Sequence, residues 1–144
     1  MFTAAQKRDL RALCALMIPA SAQYGVPGAD DALIFADIVD SVGPDAAAVS
    51  EALQTLTSMS RGSFADLDVE ESASVAEAFL SAGGNSVGAV SRAVLQCYYR
   101  DDRVMRSLDL EARPPFPQGH TLVEGDWSLL DVVRARRPMW RDVR

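Results

Sequence analysis

The sequence predicts an all-α fold: a small helical bundle of about five to six helices with an extended C-terminal tail rich in proline and arginine. Apolar residues recur at the three- and four-residue spacing of a helix face, and no segment shows the two-residue alternation of a β-strand. The 144 residues suffice for one domain with its own core. We therefore expect a bundle over residues 1–112 and an extended docking segment of the same domain over residues 113–144.

Local signals bound the first two helices. Thr3 with Gln6 has the form of a capping box, so the first helix should begin there, and Pro19 should end it. The residues that follow, up to Gly28, are rich in glycine and proline and indicate a loop. A second apolar stripe then runs from Ala32 to Val39 and predicts the second helix.

The third and fourth helices also have distinct starts. Pro44 suits the first turn of the third helix, because the N–H group that proline lacks would have no partner there. Asp68 with Glu71 has the form of a second capping box and should begin the fourth helix. The pair Gly83-Gly84 should end it.

Two further helices complete the predicted bundle. Asn85 or Ser86 can cap the fifth helix, whose apolar face reaches Tyr98. Asp101-Asp102 can start a short sixth helix, because carboxylates favour the positive end of a helix dipole.

The two cysteines, Cys14 and Cys97, fall inside helical apolar patterns. Neither belongs to a CxxC pair or has a neighbouring histidine, which argues against metal binding. We expect both to be small buried hydrophobic residues, and a disulfide between them is the alternative.

The chain changes character at Arg113. Three prolines and a glycine fall within residues 114–119, which leaves no room for a regular element and predicts an extended strap. Asp126 can then cap a short helix from Trp127 to about Arg136, which Pro138 should end.

Charge is unevenly distributed along the chain, whose formal net charge is −6. Residues 1–112 contain 8 basic and 16 acidic residues, whereas residues 113–144 contain 6 and 4. The acidic balance argues against nonspecific binding to nucleic acid or to anionic membranes. No apolar run approaches the roughly 18 residues that a membrane helix needs, so membrane insertion is not expected.

Few residues are candidates for catalysis. His120 is the only histidine and lies in the Pro-rich strap without a catalytic motif around it. Acidic pairs such as Asp30-Asp31 and Asp101-Asp102 lie at predicted helix starts, where they complement the helix dipole. We therefore expect no catalytic, cofactor-binding or metal-ligating residue in this chain.

The C-terminal segment has the composition of a protein interface. Large apolar residues alternate with arginine and lysine is absent, as in the central part of many protein–protein interfaces. The residues that we predict to contact a partner are Phe116, Trp127, Leu130, Arg134, Arg137 and Trp140. The alternative is that the segment folds back over its own bundle and buries these side chains there.

Several motifs in the second half of the chain resemble a known family. They are Tyr98-Tyr99, Asp101 to Val104, Arg113-Pro114-Pro115-Phe116-Pro117-Gln118-Gly119-His120, and Gly125-Asp126-Trp127-Ser128-Leu129-Leu130 followed by Val133-Arg134. The pattern resembles the gluconate 2-dehydrogenase subunit 3 family, the small gamma subunits of heteromeric flavin-dependent dehydrogenases. The first half matches more loosely, through Ile18-Pro19-Ala20 and the loop from Gly25 to Gly28.

The resemblance implies a non-catalytic accessory role. In such enzymes the large subunit, related to the glucose-methanol-choline oxidoreductases, holds FAD and oxidises a sugar or alcohol, in some complexes passing electrons to a cytochrome c subunit. The small subunit stabilises the large one or helps it to mature, in a chaperone-like way. Periplasmic members usually begin with a twin-arginine signal, and Met1 to Arg11 contains none. The sequence as written therefore predicts a cytoplasmic location, or a periplasmic one if such a signal has been removed.

A second hypothesis is a small helical ligand-binding domain or enzyme with a pocket near Tyr98, Tyr99 and His120. Two adjacent phenol rings at the end of a helix could form a stacking platform for a ligand. A third, a stand-alone adaptor module, would bind a partner unrelated to flavoenzymes.

Overall fold

The structure is a computed structural model that describes residues 2–120 and 124–137. Within these residues it contains seven α-helices and no β-strand, which confirms the all-α prediction. The helices are α1 (Ala4–Met17), α2 (Ala32–Ser41), α3 (Ala46–Ser60), α4 (Val69–Ala82), α5 (Gly84–Arg100), α6 (Asp102–Ser107) and α7 (Asp131–Arg134). Short 3-10 turns precede three of them, over Gly43–Asp45, Phe64–Asp66 and Trp127–Leu130.

The chain divides into two compact units, Met1–Ala112 and Arg113–Arg144. The first unit contains α1 to α6, in agreement with the five to six helices predicted for the bundle. All residues that are buried in the described part of the chain belong to this unit. The second unit contains α7 and the 3-10 turn before it.

Side-chain caps begin the first and the fourth helix as predicted. Thr3 and Gln6 form both hydrogen bonds of the capping box. The Gln6 N–H donates to the Thr3 hydroxyl at 3.1 Å, and the Thr3 N–H donates to the Gln6 side-chain oxygen Oε1 at 3.0 Å. The Asp68 carboxylate accepts a hydrogen bond of 2.8 Å from the Glu71 N–H. Each cap satisfies a backbone donor that the helix itself leaves without a partner, which is worth about 1 kcal/mol.

Two predicted helix starts differ from the structure. The third helix begins at Ala46, because Pro44 lies in the preceding 3-10 turn. The prediction that Asn85 or Ser86 caps the fifth helix is wrong, since α5 has no side-chain cap and both residues lie inside its first turn. The pair Gly83-Gly84 has φ angles of +63° and +88°, which only glycine adopts without strain, and so the chain turns from α4 into α5 within two residues.

The core forms where α3 packs along α5. Helix α2 packs against α5, α4 packs against α3, and α1 contacts all of α2, α3 and α4. The largest fully buried side chains are Leu10, Leu13, Ile34, Ile38, Val49, Leu53, Leu56, Phe64, Phe79, Val90, Val94 and Val104. Cys14 and Cys97 are buried among them as free thiols, which agrees with the prediction that they are small hydrophobic core residues.

Asp9 is the one charged residue that is buried in the described part of the chain. Its carboxylate accepts hydrogen bonds from the Ser63 hydroxyl at 2.6 Å and from the Ala65 N–H at 3.0 Å. Both donors lie at the turn before α4, so this turn replaces the water that the carboxylate loses on burial. The carboxylate thereby fixes α1 against the turn.

The second unit contains the short helix predicted after the Pro-rich strap. From Trp127 the chain forms a 3-10 turn and continues as α7 to Arg134, two residues before the predicted end at about Arg136. Pro138, which was predicted to end the helix, lies outside the described residues.

Candidate partner-binding surface

The second unit exposes the apolar side chains predicted to bind a partner. Phe116 is 84% exposed, Trp127 is 60% exposed and Leu130 is 40% exposed. Trp140, another predicted contact residue, lies outside the described residues. The three described apolar candidates therefore stand at the surface, where a partner can reach them.

Asp126 sets the local conformation from which these side chains project. Its carboxylate accepts hydrogen bonds from the Ser128 hydroxyl at 2.6 Å and from the Ser128 N–H at 3.0 Å. These two hydrogen bonds hold the pKa of the Asp126 carboxyl below its usual range. The bond from the Ser128 hydroxyl has the larger effect. The capped turn that follows carries Trp127 and Leu130.

The stretch from Trp127 to Val133 is mostly apolar, and Ser128 and Asp131, three positions apart, give it one narrow polar side. Leu129, Val132 and Val133 are each more than half exposed, and no residue is buried in the described part of this unit. Successive side chains on such a turn point roughly 100–120° apart, so five large apolar groups among seven residues cannot share one face. The apolar side chains thus cover more of the turn than one face, and a contiguous exposed apolar patch marks an interaction site.

Three arginines follow this apolar stretch. Arg134 pairs with Asp131 at 3.1 Å, an exposed contact between neighbouring turns of the chain. Arg136 and Arg137 are exposed and form no ion pair within the part of the chain that the structure describes. Their planar guanidinium groups suit bidentate hydrogen bonds to carboxylates of a partner.

The Pro-rich residues at the start of the second unit form a turn, whereas the sequence predicted an extended strap. The Gly119 N–H donates to the Pro115 carbonyl, and Arg113 donates to the Gly119 carbonyl. Gly119 has a φ of +70°, which lets the chain reverse here. Nε2 of His120 lies 3.0 Å from the Arg113 carbonyl oxygen, so this imidazole closes the local loop.

A small pocket opens beside the predicted tyrosine pair of the first unit. Tyr98 is buried, and its hydroxyl donates to the Pro27 carbonyl at 3.2 Å. The Tyr99 ring is exposed and meets the Tyr98 ring edge-on, with 5.3 Å between the ring centroids. The pocket has a volume of about 190 Å³ and is lined by Tyr24, Val26, Tyr98, Tyr99, Val104, Ser107 and Leu108.

The chemistry of this pocket favours an apolar group. Burial raises the pKa of the Tyr98 phenol. Its hydroxyl already donates a hydrogen bond to the Pro27 carbonyl. The Ser107 hydroxyl donates to the Val104 carbonyl at 2.7 Å. His120, the third residue of the pocket predicted from the sequence, belongs to the second unit.

Two acidic residues lie at helix starts, as predicted, and one arginine donates hydrogen bonds to both of them. Asp31 caps α2 and Asp101 caps α6. Arg103 bonds both carboxylates, at 2.7 Å to Asp31 and 3.0 Å to Asp101, and its hydrogen bonds lower the pKa of both carboxyl groups. Within the described residues, no three or more His, Cys, Asp or Glu side chains are arranged to hold a metal ion.

Comparisons of the chain with protein-family models, with curated proteins and with solved structures give no match. Among the described residues, no helix is both long enough and apolar enough to cross a membrane.

Proposed function

We propose that this chain is the non-catalytic small (gamma) subunit of a heteromeric dehydrogenase, and that it binds and stabilises or matures a large FAD-dependent subunit of the glucose-methanol-choline type. FAD and the groups that oxidise a sugar or alcohol would belong to that partner. In some complexes a cytochrome c subunit would take up the electrons.

The observation that carries the proposal is the exposed apolar stretch from Trp127 to Val133. Five large apolar side chains in seven residues favour burial against another surface, because burial removes them from water. The motifs that resemble the gamma-subunit family, around Arg113 to His120 and Gly125 to Arg134, lie in the same unit.

Binding alone is sufficient for the proposed activity. A protein that binds the folded large subunit, and not its unfolded chain, shifts the folding equilibrium of that subunit by mass action. In this scheme the second unit supplies the contacts to the partner, and the chain takes no part in the oxidation itself.

Co-expression tests the proposal. The large flavin-dependent dehydrogenase subunit whose gene lies nearest to the gene of this chain is produced in the presence and in the absence of this chain. The soluble, flavin-loaded large subunit is then quantified by its flavin absorbance. We expect the two chains to purify together in a fixed ratio and the flavin-loaded yield to rise severalfold. Equal yields together with no co-purification would contradict the proposal.

A second candidate, a small ligand-binding domain, is favoured by the pocket beside Tyr99. Its volume of about 190 Å³ and its mostly apolar walls fit one small aromatic or aliphatic group. Titration with indole should then shift the NMR signals of Tyr24, Tyr99 and Leu108 in a saturable way, and Tyr99→Ala should remove the effect. Signals that stay in place up to millimolar indole would eliminate this candidate.

A further inference from the structure

The segment Asp126–Arg137 has two chemically different halves. Residues 126–133 contain five large apolar side chains and two carboxylates, whereas residues 134–137 contain three arginines and no acidic residue. Both carboxylates have partners within the segment. Asp126 accepts hydrogen bonds from Ser128, and Asp131 forms an ion pair with Arg134. The charges of the last two arginines are not balanced by any ion pair in the described part of the chain.

The first half determines the shape of the surface that can cover it. Its five large apolar side chains point in several directions around the helical turn, so a flat surface would bury some and leave the others in water. A groove encloses the helix and buries all of them, which is the common way in which one protein binds a short apolar helix of another. A partner with a groove would therefore cover this surface more completely than a flat one.

The second half determines the charge of that surface. Where the chain leaves an apolar groove, Arg136 and Arg137 lose part of their hydration, and a desolvated guanidinium is costly unless a carboxylate pairs with it. A partner that buries this end would therefore bind best with acidic side chains at one end of its groove. Because the arginines occur only at the C-terminal end, this complementarity also fixes the direction in which the segment lies.

We infer that the segment Asp126–Arg137 binds in an apolar groove of the large dehydrogenase subunit, and that carboxylates of this subunit line the end of the groove beside Arg136 and Arg137. The inference rests on the proposed function and deepens it by naming the chemistry of the partner surface. Apolar contacts hold the complex together, while the arginines guide its formation.

Binding kinetics with the large subunit test this division of roles. Association and dissociation rate constants of the full chain are measured by biolayer interferometry at low and high NaCl. The Trp127→Ala/Leu130→Ala variant should raise the dissociation rate constant at least about tenfold at both salt concentrations. The Arg136→Gln/Arg137→Gln variant should lower the association rate constant about tenfold at low salt and flatten its salt dependence.

The matched control is Arg61→Gln/Arg92→Gln, which removes two exposed arginines of the first unit and should leave both rate constants unchanged. Wild-type association kinetics in the Arg136→Gln/Arg137→Gln variant would overturn the inference and leave the proposed function standing. A wild-type chain that does not bind the large subunit at all would instead defeat the proposed function.

Two other occupants of the surface are tested with the same arginine variant in separate binding measurements. The arginine pair could control binding to vesicles of phosphatidylcholine and phosphatidylglycerol, or self-association of the chain in sedimentation, while the complex with the large subunit is unaffected. Either result would overturn the inference, and it would assign the surface to an anionic membrane or to a second copy of the chain.

Discussion

The guanidinium group of Arg103 lies 2.7 Å from the carboxylate of Asp31, a residue 72 positions earlier in the chain. Asp31 caps α2, and Arg103 lies in the first turn of α6, next to its cap Asp101. One side chain thus connects the starts of two helices, and it satisfies both capping carboxylates at once.

Replacing Arg103 should destabilise the first unit. Arg103→Ala removes hydrogen bonds to two carboxylates that are only partly exposed, and we expect the free energy of unfolding to fall by about 1–2 kcal/mol after allowance for solvent screening. Urea unfolding followed by circular dichroism measures this change. Arg106→Ala is the matched control, because its exposed pair with Asp102 at 2.7 Å should contribute no more than about 0.5 kcal/mol. Equal losses in the two variants would contradict the prediction.

Acidification should weaken the same connection. Arg103 holds the folded-state pKa of Asp31 and of Asp101 below the ordinary value of 3.8. The stabilisation is therefore present above pH 3.8 and is lost as the pH falls through the folded-state pKa values. Thermal melts should show a Tm that is steady down to about pH 5 and then decreases.

The control for the pH effect is a pair of variants. Arg103→Gln should flatten the acid side of the Tm profile, because both carboxyl groups then return towards their unfolded pKa. Arg106→Gln should keep the wild-type profile. If the two profiles coincide, Arg103 is not the source of the acid sensitivity.

Cys14 and Cys97 should be unreactive in the folded protein. Burial raises the pKa of the Cys14 thiol to about 12, and burial also raises the pKa of Cys97. The thiolate is the reactive form, so at about pH 8 a disulfide reagent such as DTNB should modify neither residue. In urea both thiols should react. Rapid modification of the native protein would contradict the buried positions, and the absence of any reactive thiol in urea would indicate a disulfide between the two residues.

Trp127 should contribute to assembly and not to folding. Trp127→Ala is expected to weaken binding to the large subunit by about 2 kcal/mol, a loss typical of a central interface residue. The helicity of the chain should stay unchanged, because this side chain is largely exposed. Calorimetric titration and circular dichroism measure the two effects.

Leu33→Ala is the matched control for Trp127→Ala. Leu33 is 70% exposed on α2, in the first unit, and its truncation should change neither affinity nor helicity. The sequence predicts the same behaviour for Trp140→Ala as for Trp127→Ala. A tryptophan whose truncation unfolds the isolated chain would belong to a core, and the docking surface would then lie elsewhere.

Most helix positions could be predicted because their signals are local. The Thr3 and Asp68 caps each involve residues three positions apart, so the sequence alone contains the whole interaction. The predicted cap of α5 failed for a conformational reason. Asn85 and Ser86 have the right chemistry, but the positive φ angles of the two preceding glycines place them inside the helix.

Composition was enough to select candidate contact residues, whose role in binding stays a prediction, whereas contacts between distant segments could not be predicted from the sequence. The mixture of apolar residues and arginine indicated Phe116, Trp127 and Leu130, which are all exposed. The position of Tyr24 in the pocket wall and the bond from Arg103 to Asp31 depend on which distant segments the fold brings together. The Asp-x-Arg spacing at residues 101 and 103 could have indicated only the local half of that contact.

The buried carboxylate of Asp9 has a consequence for the order of events on the ribosome. The two residues that donate hydrogen bonds to it, Ser63 and Ala65, are synthesised later, because Ser63 lies 54 positions after Asp9 in the chain. At roughly 5–20 residues per second, α1 leaves the ribosome about 3–11 seconds before they do. Until then the carboxylate keeps its water, because burial without donors is costly. We therefore expect the first helix to pack into the core only after the turn before α4 has been synthesised.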